Sequence, residues 1–256
     1  EFMIKHRIPT AAYAVFSDCA EAESYLAKKS YPQVIKASGL AAGKGFFVCP
    51  SRADAQAALH KIFVEKAFGA AGRQVVIEDC LSGTEASYMV ISDGSHVLPL
   101  ESSRDHKTVF DKNRGPNTGG MGGYSPSSDL SLSLEKEVLS SIVNPTIAGM
   151  KEGGTPFCGI LYVGLMLTAQ GPKVLEYNVR LGDPETQVIL PRLETDLLDV
   201  LEHGEAGTLD RLSLQWDRRV ALCVVLASKG YPAGYAVDKP ITGLDGLDKR
   251  DLLVFH

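Results

Sequence analysis

The sequence has no excess of positive charge: 26 Lys and Arg against 31 Asp and Glu leave a net charge of −5 at pH 7. Binding along a nucleic-acid backbone needs a basic face, so nucleic acid is not expected as the main partner and any anion site must be local. There is no C-x-x-C pair. Cys19, Cys49, Cys80, Cys158 and Cys223 are odd in number and scattered, which argues against a disulfide framework or a zinc site and fits a reducing cytosol. Long apolar runs are also missing: Val220 to Ala227 is the longest, well short of the ~20 residues a membrane-spanning helix requires. No charged-then-apolar leader opens the chain, so a cytoplasmic protein without a membrane partner is expected. Repeats and low-complexity tracts are lacking. So is a methionine in first place, since the chain opens Glu1-Phe2-Met3, which fits a piece of something longer.

What is present is an ordinary globular composition: 256 residues, 45% hydrophobic and 22% charged, enough for the core of one or two domains. Asp18 with Glu21 predicts a capping box opening a helix to about Lys29. Short strands over Gln33–Lys36 and Phe46–Cys49 then flank Ala37-Ser38-Gly39-Leu40-Ala41-Ala42-Gly43-Lys44-Gly45. This is not a Walker loop, because Gly39 to Gly43-Lys44 is one residue short and Gly45 stands where the metal-binding Ser or Thr should be. A glycine-rich flap fits better, its backbone N–H groups laid over phosphates; a flexible hairpin tip is the alternative. Ser51 caps a second helix that buries Ala55, Leu59, Ile62 and Phe63. Gln74–Cys80 is an apolar strand leaving its sheet at Glu78-Asp79-Cys80-Leu81, where unpaired backbone groups suit an adenine edge, with Glu85 following at ribose distance. Glu85–Ile91 and His96–Leu100 form a hairpin across Asp93-Gly94.

Residues 101–125 lack periodicity yet are dense in functional groups, Ser103-Arg104-Asp105-His106-Lys107 and then Gly115-Pro116-Asn117-Thr118-Gly119-Gly120-Met121-Gly122. A structureless stretch of that length usually binds something. A helix from about Ser133 to Met150 follows, then a hairpin of Gly159–Thr168 and Lys173–Asn178. Its second strand places Glu176 and Asn178 on one face, roughly 7 Å apart, where a carboxylate and an amide oxygen suit Mg2+. Arg180 comes next, positioned to clamp a phosphoryl group, and then Gly182-Asp183-Pro184-Glu185, whose acids could face an amine or more metal. Val220–Ala227 is expected to be a buried strand, and residues 230–256 hold no complete element. Each of these has an ordinary alternative when taken singly: a charged turn after a strand, a solvated acid at Glu85, a surface histidine at His106, a solvated lysine at Lys107.

Together the residues resemble a family. Lys36 before a Gly-rich flap, a hinge at Glu78 to Leu81 with Glu85 beyond it, and a strand carrying E-x-N are the parts of an ATP-grasp fold. More narrowly, Leu40 to Gly45, Asp105-His106-Lys107, Gly115 to Gly122 and Arg180-Leu181-Gly182-Asp183-Pro184-Glu185-Thr186-Gln187 resemble the glycinamide ribonucleotide synthetase family, over nearly the whole chain. Arg104 and Val179 depart from the family's usual residues there. The resemblance implies an α+β fold of two subdomains clasping ATP: residues 1–8 ending a linker helix, 9–78 a lid, 79–212 a central subdomain with metal and substrate site, and 213–256 the start of a C-terminal β-rich domain. Covalent neighbour domains are implied on both sides. The implied reaction joins glycine to 5-phosphoribosylamine through a glycyl phosphate, with ATP and Mg2+ (or Mn2+) as cofactors. Lys36, Gly43, Lys44 and Gly45 would hold phosphates, Glu78, Asp79, Cys80 and Leu81 the adenine, Glu85 the ribose, and Glu176 with Asn178 the metal. Asp105, His106, Lys107, Asn117, Thr118, Gly119, Gly120, Met121, Arg180, Asp183, Pro184 and Glu185 would line the substrates, with Arg180, Asp183 and Lys107 closest to the chemistry. Another ATP-grasp carboxylate–amine ligase, or a nucleotide-binding fragment inactive on its own, are the other readings.

Overall fold

The computed structural model describes residues 1–39, 41, 45–112, 114–247 and 252–256. After a short helix α1 (Phe2–Lys5), the elements are β1 (Tyr13–Phe16), α2 (Cys19–Leu26), β2 (Gln33–Ala37), β3 (Phe46–Cys49), α3 (Arg52–Leu59) and β4 (Val75–Asp79). The strands form a sheet ordered β1-β4-β2-β3, antiparallel at each pairing, with Lys36 opposite Val76 and Gln33 opposite Asp79. Asp18 caps α2 by accepting the Glu21 N–H, and Ser51 with Asp54 makes a full capping box for α3. Ala55, Ala58, Leu59 and Ile62 recur at helical spacing and are buried against Ile35, Val75 and Ile77. Each large side chain so removed from water contributes about 1.5–3 kcal/mol.

Next come β5 (Thr84–Asp93), β6 (Val97–Pro99), β7 (Arg104–Asp105), β8 (Thr108–Phe110), β9 (Arg114–Asn117) and β10 (Gly122–Ser125). The stretch 101–125, expected to be structureless, thus holds four short strands. They escape a periodicity search because none is longer than four residues and glycines occupy several of their positions. Then follow α4 (Leu132–Val138), α5 (Asn144–Glu152), β11 (Cys158–Thr168), β12 (Gly171–Asn178), α6 (Thr186–Ile189), α7 (Leu197–Ala206) and β13 (Ala221–Val224). The single helix expected near 133–150 carries a π turn at Leu139–Val143, just before Pro145 in the first turn of α5. Proline cannot donate a backbone hydrogen bond, and a widened turn ahead of it removes the clash with the preceding carbonyl.

A second sheet runs β12-β11-β5-β6, and a third runs β13-β10-β7. Met89, Ile91, Tyr162, Val188, Ile189 and Val200 build the core beside them. Strand β13 corrects the expectation of a buried strand: Ala221 and Cys223 pack against that core, but Leu222 and Val224 are 74% and 67% exposed. The uninterrupted apolar run conceals the period-two alternation of an edge strand.

The chain divides into two compact units, one of residues 9–83 with 166–175, the other of 1–8, 84–165 and 176–256. Among the described residues no helix is long and apolar enough to cross a membrane.

Candidate functional site

Strand β12 enters the larger unit at its end, where it leaves Glu176 exposed and Asn178 half-buried. The two side chains meet: the Asn178 amide donates to Glu176 Oε1 at 3.3 Å, which leaves the amide oxygen free. Gly164 on β11 makes the room, since a Cβ there would stand 3.1 Å from Glu176 Cγ. Among the described residues no group of three or more His, Cys, Asp or Glu converges to hold a metal. A cation at the end of β12 would therefore take these two hard oxygens and complete its shell with water or phosphate, a donor set that fits Mg2+.

Four acids from four motifs act on one ammonium group, two of them at close range. Lys107 Nζ lies 3.7 Å from Glu85 and 3.9 Å from Asp105. Burial works to lower the Lys107 pKa, but Asp105, Glu85, Glu176 and Glu185 outweigh it and the net shift is upward. The Asp105 carboxyl is held above its ordinary value by burial, with Glu185 and Glu85 pushing the same way against Lys107. Surplus negative charge on this scale favours a further cation or an amine. His106 is exposed, its ring 6.2 Å from that of Tyr124. Arg104, the departure from the family pattern, is satisfied by Asp129 at 3.0 Å.

The loop after β9 is bound along its length. Thr118 N–H and its hydroxyl both donate to Lys107 C=O, Gly120 N–H to the Thr118 hydroxyl, and Met121 N–H to His106 C=O. Gly120, at φ +128°, presses on the Pro184 ring where a Cβ would collide. The Asn117–Met121 loop and the Asp183–Glu185 turn are thereby brought together. In that turn Arg180 and Asp183 are exposed; Arg180 donates to Leu181 C=O at 2.8 Å and Asp183 accepts from Gln187 at 2.8 Å. Pro184 is buried. Glu185, expected to meet substrate, points inward: it is 2% exposed, and its Oε1 accepts from Ser87 at 2.8 Å and Tyr162 at 2.9 Å. It anchors the turn.

In the smaller unit Lys36 pairs with Glu78 at 2.7 Å, both about three-quarters buried. Asp79 Oδ1 accepts from Lys29 and Gln33, each at 3.2 Å. The sheet ladder ends at Asp79 and β5 begins at Thr84, so Cys80 and Leu81 lie outside both strands, both half-buried, with the Cys80 thiol pKa pushed up by burial. At the flap stem Ala37 N–H donates to Gly45 C=O, while the Ser38 and Gly39 N–H groups donate to Gln74 and Ala71 and are not free for a phosphate. Gly43 and Lys44 lie outside the described residues.

The structure thus gathers Glu85, Asp105, Lys107, Glu176 and Glu185 in one unit and Lys36, Glu78 and Asp79 in the other. Ser87 and Tyr162, which hold Glu185, were not found from the sequence. The available signal was weak: a serine within the buried run of β5 and a tyrosine within β11.

Residues 1–186 match the model of a family described as phosphoribosylglycinamide synthetase, ATP-grasp (A) domain. Over the whole chain the sequence is similar to the phosphoribosylamine–glycine ligases of Allochromatium vinosum, at 47% identity, and Xylella fastidiosa, at 48%, spanning 60% of the length of each. Of solved structures, it is similar to the phosphoribosylamine–glycine ligase of Thermotoga maritima, with a TM-score of 0.83 at 35% identity, covering 92% of this chain and 59% of that one.

Proposed function

The chain belongs to the phosphoribosylglycinamide synthetase ATP-grasp family, and we propose that it is the catalytic body of a cytoplasmic phosphoribosylamine–glycine ligase. The glycine carboxylate attacks the γ-phosphate of ATP, giving glycyl phosphate and ADP. The amine of 5-phosphoribosylamine then displaces phosphate to form the amide of glycinamide ribonucleotide. The observation that carries this reading is the approach of Glu85, from the strand after the hinge, to within 3.7 Å of Lys107 beside Asp105 at 3.9 Å, with Glu176 and Glu185 from two further motifs adding to the negative field on that ammonium.

Lys36 and the flap residues Gly43, Lys44 and Gly45 hold phosphates, the 78–81 segment meets the adenine, and Glu85 the ribose. Glu176 and Asn178 would hold Mg2+ or Mn2+, which would supply charge neutralisation of the phosphates. Asp105 and Asp183 attract the substrate amines, and Lys107 and Arg180 stabilise charge on the transferring phosphoryl group. The 117–121 loop supplies a wall against which the acceptor is oriented, and orientation of this kind contributes up to ~7–11 kcal/mol in well-aligned reactions. Calorimetric titration with Mg-ATP, followed by measurement of ADP release with glycine and freshly generated phosphoribosylamine, tests the assignment. Binding of Mg-ATP with ADP release dependent on both substrates is expected. A folded protein that binds no Mg-ATP, or whose ADP release ignores phosphoribosylamine, would refute it.

A further inference from the structure

The segment after β13 had no role in the sequence reading, yet it reaches the candidate acceptor loop. Gly119 N–H donates to the Tyr231 phenolic oxygen at 2.9 Å, a bond spanning 112 residues. The tyrosine is held in a built turn: its own N–H donates to Ser228 C=O, Ala233 N–H donates to Gly230 C=O, and Gly230 sits at φ +102°. Its ring meets that of Tyr235 edge-on at 5.3 Å. The other bonded N–H groups of the loop, those of Thr118, Gly120 and Met121, find acceptors no more than 15 residues away, at Lys107, Thr118 and His106. Among the described residues the Gly119 N–H has its partner in Tyr231.

We propose that Tyr231 is a positioning residue for the 117–121 loop, its hydroxyl fixing the orientation of the Thr118–Gly119 peptide and through it the face the loop turns to the acceptor substrate. The Thr118–Gly119 peptide has glycine on its C-terminal side, where the missing Cβ leaves the Gly119 φ loosely constrained. Locking it takes a bond from outside the loop. Phenylalanine at 231 keeps the ring packing on Tyr235 and removes only the acceptor. The inference rests on the reading of the 117–121 loop as part of the acceptor site, and the two can fail separately.

Two measurements on Tyr231→Phe test it. In this chain, amide hydrogen exchange at Gly119 should quicken about tenfold, the scale of one net hydrogen bond, with core amides such as Ile35 unchanged. In the complete enzyme the KM for phosphoribosylamine should rise about tenfold by the same reasoning, with the KM for ATP unchanged, and Tyr235→Phe should leave both at wild-type values. Unchanged exchange at Gly119 overturns the clamp. Faster exchange with no change in the phosphoribosylamine KM, or an equal change for ATP, overturns the positioning role. Asn117→Ala separates the two ideas: if it leaves the acceptor KM untouched, the placement of the loop in the acceptor site falls, whatever Gly119 does.

Discussion

Two aspartates of the larger unit, both shielded from water, sit in opposite electrostatic situations. Asp93, the last residue of β5, has a fully buried side chain and is surrounded by donors: Ser95 N–H and His96 N–H on one oxygen, His96 Nδ1 and Leu209 N–H on the other. Burial alone would raise its pKa, but these donors hold it down to about 2. Asp105, with a side chain 9% exposed, is held above its ordinary pKa first by burial and then by the carboxylates of Glu185 and Glu85, with the Lys107 ammonium opposing them. The first arrangement is complete in itself and has nothing left to bind. The second is left with unresolved repulsion that a cationic or hydrogen-bonding ligand would relieve, and such imbalance marks a place of work more reliably than the mere presence of acids.

The comparison breaks most visibly in turnover. Arg180→Ala should lower kcat of the complete enzyme by roughly 10²–10³, the scale for losing one preorganised charge-stabilising donor, whereas Asp93→Asn should leave kcat and every KM at wild-type values. Steady-state assays at saturating Mg-ATP decide both. An Arg180→Ala enzyme with parental turnover would remove Arg180 from the site, and a folded Asp93→Asn protein with impaired kinetics would show that the turn is not merely structural.

Stability against pH sharpens it next. A carboxyl whose folded pKa lies near 2 instead of its ordinary 3.8 contributes stability that is complete above the unfolded value and is lost as pH falls toward the folded one. At roughly 1.4 kcal/mol per unit this amounts to about 2 kcal/mol. Asp93→Asn should therefore remove about that much at neutral pH and little below pH ~2, as read by urea unfolding across the acid range. An unchanged pH profile would contradict the donor count around Asp93. The smallest effect has the opposite sign. Asp105, held above its ordinary value chiefly by burial, costs stability when ionised, so Asp105→Asn should raise the urea midpoint of the ligand-free protein at neutral pH while weakening substrate use, the usual trade at a strained site. A clear loss of stability would mean that pairing with Lys107 outweighs the repulsion.

The residues legible in the sequence were those whose chemistry is local. Glu176 and Asn178 share a face because a strand has period two; Ser51 caps α3 because the N–H its hydroxyl accepts, that of Asp54, lies three residues on. What stayed hidden depends on distant partners. Glu185 looks like an available acid in its motif, and only Ser87 and Tyr162, 98 and 23 residues away, turn it inward. Arg192 was unremarked, yet it is 5% exposed and binds Glu101, Ser125 and two backbone carbonyls, a buried cation satisfied from 25 to 91 residues off. Residues 101–125 failed for a different reason: their strands are shorter than the window in which alternation can be told from chance.

The division of the chain also bears on how such a protein can be inherited. The smaller unit is interrupted, so the backbone passes from one unit to the other four times, at 8–9, 83–84, 165–166 and 175–176. A recombination event that exchanges residues 9–83 as a block leaves behind the hairpin tip 166–175, with which that block is knitted: Val174 N–H donates to Pro9 C=O, the Thr10 hydroxyl donates to Val174 C=O, and Gly83 sits so close to the Leu167 carbonyl that no side chain fits. Any relative donating the first segment must therefore bring a compatible tip, and the two pieces, more than 80 residues apart in the gene, are bound to diverge in step.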